Sequence, residues 1–506
     1  MITQQIFVLG KMARFDEARE VITEGDAILA SLTANERETG AYWIAFFEHR
    51  KGDYYYIKKD YDTALEYWHR ALALREKIGN HYAIEHSLFN IGLLYRLKGE
   101  LDTALDYYQR ALDITKQMGN FHLTATTFRH IGMIYSNKGD LDTALTYYQQ
   151  ALNTYEEIGS SSGIAGALGS MAYFYILKGE LNTALEYTRR HLSLAKKIKN
   201  PMNLAGCFGF FAWIYYLKGE LDTALDYVQQ TLAFQEQIGE FDAVSTLLLS
   251  AKIYQAQGEL DTALERLQQG LSIADKTGNA ITISLVLFYL VRVVLAQQNH
   301  PQAQEYQTRL EQLQTRTPNP WIHLCSRLAE ALVLKQSPRL KEKIRAQTLF
   351  EQLVQEEVLW FDMTALAIIQ LSELLIAEVK FYGEPDVWEE AKALIDKLYV
   401  MAQDQHSFSM SVEALLLRAK AAVVDGKLPQ ALRYYEQARL TATEKDLTGL
   451  LAKVDTEQQR FEADFEKMQS LIQSNASLQE RVTSARMEDY LKAIQPLLKP
   501  DVPPES

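Results

Sequence analysis

Few side chains in this sequence are spaced for covalent chemistry. His49, His86 and His130 lack the HExxH spacing that sets two imidazoles on one helix face. They read as ordinary histidines, and no metal site and no cofactor is expected. Cys207 and Cys325 are the only cysteines and lie far apart, so neither a disulfide framework nor a thiolate site is expected. The carboxylates of the KGELD segments recur at successive turns, which marks them as structural rather than acid–base groups. There is no phosphate-cradling loop, nucleophile elbow or kinase set, and no alternation of strands with helices to carry a cofactor fold. The expectation is a protein that is not an enzyme. The chemistry left is non-covalent, carried by Arg96, Arg129, Lys252, Arg292, Tyr173, Phe210, Trp213 and Tyr216. Arginine and aromatic side chains are the usual anchors of interfaces, because they bury large area at modest entropic cost. Asn90 and Asn137 offer the paired donor and acceptor that can clamp an extended backbone.

The elements that must position these residues show as a repeat. YDTAL begins at Tyr61, LDTAL at Leu101, Leu141, Leu221 and Leu260, and LNTAL at Leu181. Their alanines, Ala64, Ala104, Ala144, Ala184, Ala224 and Ala263, stand 40, 40, 40, 40 and 39 residues apart, and Ala303 lies another 40 on. Each unit splits into two helices. From His81 to Leu97, Ile84, Leu88, Ile91 and Tyr95 make one apolar stripe. Lys98-Gly99-Glu100 then breaks the chain, with the base ending one helix and the acid opening the next. From Leu101 to Met118, Leu101, Ala104, Leu105, Tyr108, Ala111 and Leu112 make the second stripe, and Gly119-Asn120 ends it. Neither helix can bury its stripe alone, so the units must stack.

Leu88, Ile91-Gly92, Tyr95, Ala104, Tyr108 and Ala111 resemble the tetratricopeptide (TPR) pattern W-x2-L-G-x2-Y…A-x3-F, and Phe128, Ile131-Gly132, Tyr135, Ala144, Tyr148 and Ala151 repeat it. The unit is lengthened from 34 residues to about 40, and Gly-Asn replaces the usual terminal proline. Such units look like those of kinesin light chains, Pins/LGN-type spindle-orientation adaptors and bacterial peptide-sensing regulators, all of which bind partners. The resemblance implies an all-α, right-handed superhelical solenoid of antiparallel helix pairs. Residues 1–40 read as a degenerate repeat or cap, 41–280 as clear units and 281–440 as drifted hairpins or a separate helical domain. Residues 441–498 read as a long helix and a capping helix, and 499–506 as a disordered tail. Leu447–Ile472 carries a near-heptad, which reads as a capping helix or a homodimer contact. Ser477 and Glu480 form a capping box for the last helix, expected to end near Leu498.

In solenoids of this kind the first helix of each pair lines the concave surface. By that register the groove holds Asn90, Arg96, Arg129, His130, Asn137, Tyr173, Phe210, Trp213, Tyr216, Lys252 and Arg292, with Asp53 as the one acid. Gly166, Gly169, Gly206 and Gly209 recur at one place in adjacent units, where they deepen the groove or only permit close helix packing. The partner expected is a peptide or helical segment, acidic at its ends and apolar in its middle. A ligand-sensing regulator and a self-assembling scaffold are the alternatives. Residue totals agree: 65 acidic against 52 basic residues, a formal charge of −13, disfavour nucleic acid and anionic membranes as partners. No apolar run is long enough to span a bilayer, and the reading is a cytoplasmic, reduced protein.

Overall fold

The computed structural model describes residues 5–6, 15–58, 60–138, 140–238, 243–317, 319–356 and 361–494. Among them every regular element is a helix. The chain forms two compact units, residues 1–170 and 171–504.

In unit 1, α1 (Phe15–Ser31) and α2 (Ala34–Thr39) precede the pairs α3 (Ala41–Ile57) with α4 (Tyr61–Ile78), α5 (His81–Leu97) with α6 (Leu101–Gln117), and α7 (Phe121–Asn137) with α8 (Leu141–Glu157). The next helix, α9 (Ser161–Leu177), contains the unit boundary. The Gly-Asn steps do two jobs. Gly79 and Gly119 take φ of +75° and +62°, which only glycine adopts freely, while Asn80 and Asn120 cap the following helices through their side-chain oxygens.

Each pair is locked by a glycine on its first helix facing an aromatic on its second. A Cβ on Gly52 would overlap the Trp68 ring; on Gly92 it would stand 3.3 Å from Tyr108, and on Gly132 3.0 Å from Tyr148. Half-buried tyrosines add a second layer: Tyr55 with Tyr67, Tyr95 with Tyr107, and Tyr135 with Tyr147 stack at 5.4, 5.5 and 5.6 Å. The aspartate of the DTAL motif ties neighbouring pairs. Asp62 accepts from Lys98 at 2.9 Å and Asp102 from Lys138 at 2.5 Å.

In unit 2, the pairs are α10 (Leu181–Ile198) after α9, then α11 (Pro201–Lys218) with α12 (Leu221–Ile238), α13 (Ala243–Gln257) with α14 (Leu260–Thr277), and α15 (Ala280–Ala296) with α16 (His300–Arg316). They continue as α17 (Pro320–Lys335) with α18 (Leu340–Gln355), α19 (Phe361–Tyr382) with α20 (Pro385–Asp404), and α21 (Phe408–Val424) with α22 (Leu428–Glu444). The successive first helices α11, α13, α15 and α17 touch one another as well as their own partners. They form the closer-spaced, inner layer of this unit. One core runs through it, from Ile176 to Ile494.

The C-terminal segment departs from expectation. Instead of one helix over 447–472 there are α23 (Thr448–Ala463) and α24 (Phe465–Gln473), separated at Asp464. Then come α25 (Leu478–Ser484), opened by the expected Ser477–Glu480 capping box, and α26 (Met487–Ile494). The apolar stripe explains the break: Leu450, Val454, Phe461 and Met468 are all buried within the unit, and two short helices follow its surface where one straight helix could not. α25 and α26 pack on α19, and α26 also on α21, so they cover the inner layer of the last pairs. The tail 499–506 lies outside the described residues.

Candidate functional site

Unit 1 places a cationic, aromatic cluster on its first helices. Arg96 comes from the last turn of α5 and is 4% exposed; Arg129, on α7, is half-buried. Neither has an ion-pair partner among the described residues. Arg129 Nη2 lies 3.1 Å from His130 Nε2 and its Nη1 approaches the Met133 sulfur at 4.0 Å. The His130 ring stands edge-to-face with Phe89 at 4.7 Å and tilted against Tyr108 at 5.5 Å. Burial, and then the two arginines, hold the His130 pKa well below the ordinary 6.5, so the ring is neutral. Its Nδ1 and the Ser136 hydroxyl are buried without hydrogen-bond partners.

A second polar group lies beside it. His49, 1% exposed, has Nδ1 3.3 Å from Arg75 Nη1 and Nε2 3.3 Å from the Asn90 amide. An arginine only donates, so Nδ1 accepts and the ring proton sits on Nε2, directed at Asp53 at 3.5 Å, with the Asn90 amide packed beside it. Asn90 thus lies against His49 inside the unit. Arg75 also donates to Ser87 Oγ and the Ala83 carbonyl. Asn137 stands apart, exposed at the end of α7.

Unit 2 treats its groove residues differently. Tyr173 and Trp213 are half-buried and their rings meet at 5.7 Å. Phe210 is half-buried near His191, whose ring is buried with neither nitrogen hydrogen-bonded and whose pKa burial pushes down to about 4. Tyr216 and Lys252 are buried at 4% and 3% exposure. Lys252 Nζ sits 4.4 Å above the Tyr289 ring, and the half-buried Arg292 guanidinium lies 5.3 Å from the same ring. Burial lowers the Arg292 pKa, opposed by Tyr289, Tyr216 and Asp362. This cation therefore has a carboxylate among its neighbours. A Cβ on Gly206 would meet nothing within 4 Å, and one on Gly209 only the Thr231 methyl at 3.9 Å, so helix packing does not require these two glycines. In unit 1 the same holds for Gly166.

Two groups were beyond reach of the repeat pattern. Lys335 on α17 pairs with Glu373 at 2.7 Å and donates to Gln370 on α19. Lys453 on α23 pairs with Glu413 of α21, which also accepts from the Tyr490 hydroxyl of α26. Both lie beyond the clear repeats, in the drifted part or the C-terminal helices, where no register points inward. His191 had a signal: it and Thr188 replace the alanine and tyrosine that follow the DTAL alanine in the units opening at Leu101 and Leu141. Between α21, α23, α25 and α26 lies a cavity of about 460 Å³ reached by Lys420, Lys453, Arg460 and Glu457. Its cations are paired in its own walls, Lys420 with Glu457 at 2.6 Å and Arg460 with Glu457 at 2.7 Å. Among the described residues no cluster of histidine, cysteine and carboxylate side chains could hold a metal, and no helix is long and apolar enough to cross a membrane.

Paired helices of 40-residue period, a glycine–aromatic lock in the first pairs and an inner layer of first helices define a tetratricopeptide-type repeat protein. The chain belongs to the MalT-like TPR region family, which residues 160–439 match; residues 43–117 and 124–158 match two further tetratricopeptide repeat families. By sequence, no curated protein matches. Among solved structures the chain is similar to the apo form of the quorum sensor NprR from B. thuringiensis, at 17% identity and a TM-score of 0.42, over 78% of this chain and 97% of that one. It is also similar to aspartyl phosphate phosphatase F from Bacillus subtilis, at 16% and 0.42 over 70% and 94%. A third is a signal transduction ATPase with a tetratricopeptide repeat sensor from Pyrococcus horikoshii, at 16% and 0.46 over 66% and 52%.

Proposed function

We propose that this protein acts by binding rather than catalysis, and that the inner face of unit 1 takes an acidic segment of a partner protein. One observation carries the reading: Arg96 and Arg129 face one aromatic cluster, and among the described residues neither has an ion-pair partner. A buried or half-buried guanidinium without a counter-ion is costly, and a partner's carboxylate offsets that cost when it arrives. The half-buried Phe89 and Met133 supply the apolar contacts beside the charge. Taken by itself, unit 2 offers Tyr173, Phe210 and Trp213 as candidate anchors for a separate apolar segment.

The test is an affinity capture from the source cell's lysate with wild type, Arg129→Glu and Trp213→Ala, read by mass spectrometry. Helicity is checked for each variant by circular dichroism. The expected result is a protein held by wild type and released by a folded Arg129→Glu variant. Its acidic segment, as a labelled peptide, then binds at least ten-fold more weakly to the variant, and its Asp/Glu-to-Asn/Gln version binds weakly to wild type. Equal capture by wild type and a folded Arg129→Glu variant removes the inner face of unit 1 as the site.

A further inference from the structure

The DTAL ladder has an irregularity that the rest of unit 2 explains. Where the ladder is intact, the aspartate accepts from the residue 35 or 36 places on: Asp222 from Gln257 at 2.9 Å, and Asp261 from Gln297 at 2.8 Å. In the unit that opens at Leu181 the motif reads LNTAL, so Asn182 stands where that aspartate would be. The residue 36 places on is Lys218, and it points elsewhere. Its Nζ lies 2.5 Å from Asp446 Oδ2, across 228 residues of sequence.

That ion pair is one part of a larger contact. The turn Lys218-Gly219-Glu220 meets the turn that links α22 to α23. The Thr448 hydroxyl lies 3.1 Å from Glu220 Oε1 and 3.4 Å from the Lys218 carbonyl. A Cβ on Gly219 would stand 2.9 Å from the Gly449 Cα, and one on Gly449 2.8 Å from the Gly219 Cα, so the two backbones touch. One repeat earlier the same meeting recurs: a Cβ on Gly179 would stand 2.9 Å from the His406 carbonyl. The offset from 178 to 406 equals that from 218 to 446. The distal turns carry side chains in a conformation that favours glycine. The left-handed residue that ends α4, α6, α8 and α14 is Gly79, Gly119, Gly159 or Gly278, whereas at the end of α20 and α22, as at Lys199 after α10, it is a residue with a side chain: His406 and Asp446, at φ of +49° and +52°. A side chain in that conformation is strained relative to glycine. At Asp446 that side chain makes the ion pair.

We propose that these contacts are a latch that closes the superhelix of unit 2 onto itself, with Lys218 released from the ladder by Asn182 so that it can hold Asp446. Closing fixes the curvature of the inner layer that carries Trp213, Tyr216, Lys252 and Tyr289. A ligand that prefers the open or the closed curvature shifts the balance by its differential affinity. Lys218 is buried while Asp446 is partly exposed, so the latch opens from the Asp446 side.

The test uses the full chain with spin labels on cysteines introduced at the exposed Asp226 and Glu444; the native Cys207 and Cys325 are buried. Double electron–electron resonance is expected to give one short, narrow distance for the otherwise wild-type protein. Asp446→Lys and Lys218→Asp should each give a longer, broader distribution, and the double swap should bring the short distance back. Asn182→Asp, which adds only a competing carboxylate for Lys218, should populate both distances with no loss of helicity, and it keeps the test valid if a single charge reversal fails to fold. An unchanged distance in Asn182→Asp together with either a folded Asp446→Lys variant of unchanged distance or a double swap that does not recover overturns the latch.

Discussion

The two units solve the same packing problem with different side chains. In unit 1 the first helix gives up its side chain and the second supplies a large ring: Gly52 with Trp68, Gly92 with Tyr108, Gly132 with Tyr148. In unit 2 the corresponding pairs are Ala172 with Thr188, Ala212 with Val228, and Ala251 with Leu267. The first helix gains a methyl where the second gives up its ring. The charges divide along the same line. Among the described residues Arg96 and Arg129 of unit 1 have no ion-pair partner, whereas Lys335 of unit 2 has Glu373 and Arg292 has Asp362 nearby. These two cations of unit 1 are left without a carboxylate, and those of unit 2 are met within its own fold.

The sharpest way to break this comparison is to remove a cation from each unit. Lys335→Met leaves Glu373 and Gln370 buried without their donor and should cost about 3–5 kcal/mol. Arg96→Met removes a charge that has no ion-pair partner among the described residues and should leave stability unchanged or higher. Chemical denaturation of both variants checks the pair, and a large loss in Arg96→Met would mean that its charge is satisfied within the unit.

The packing exchange predicts an asymmetry of up to about 2 kcal/mol, with a cost of about 1–3 kcal/mol on the glycine side. Gly52→Ala drives a methyl into the Trp68 ring and should destabilise by that much. Ala212→Gly loses only a methyl and some helix propensity, about 1 kcal/mol. Thermal melts of the two variants side by side give the answer.

Titration separates the units next. Burial pushes the Glu85 carboxyl of unit 1 up from the ordinary 4.5 to about 7, so the folded chain holds that proton more tightly and stability falls as pH climbs through this window. His191 of unit 2 runs the other way: lowered from 6.5 to about 4, it contributes stability above pH 6.5 that is lost as pH falls toward 4. Glu85→Gln should therefore stabilise by on the order of 1–3 kcal/mol above pH 7 and have no effect below pH 4.5. His191→Leu should help most in acid. His49 and His130 also lose stability in acid, so each variant is compared with wild type at the same pH.

The smallest effect belongs to the ladder. Lys98→Ala removes a partly exposed pair with Asp62 and should cost about 0.2–1 kcal/mol, less in high salt. A larger loss would make the ladder a determinant of unit 1 rather than an adjustment to it.

Much of this was legible in the residues themselves. The 40-residue period, the helix ends at Gly79-Asn80 and Gly119-Asn120, the burial of Tyr108 and Ala111, and the Ser477–Glu480 cap all follow from interactions a few residues apart or between adjacent helices. Such interactions leave a pattern that periodicity and cap chemistry reveal. Burial depth along one nominal groove did not show: Asn137 is exposed, Tyr216 and Lys252 are covered, and Asn90 is taken up by His49. The break at Asp464, the docking of α26 on α19 and α21, and the choice of Asp446 by Lys218 were decided by the tertiary structure alone. The reason is physical. Each repeat adds a small rotation, and only the sum over several pairs of unit 2 determines which distant turns meet. No local pattern encodes that sum, so Asn182 looked like a minor lapse in a motif until the fold showed what Lys218 holds instead.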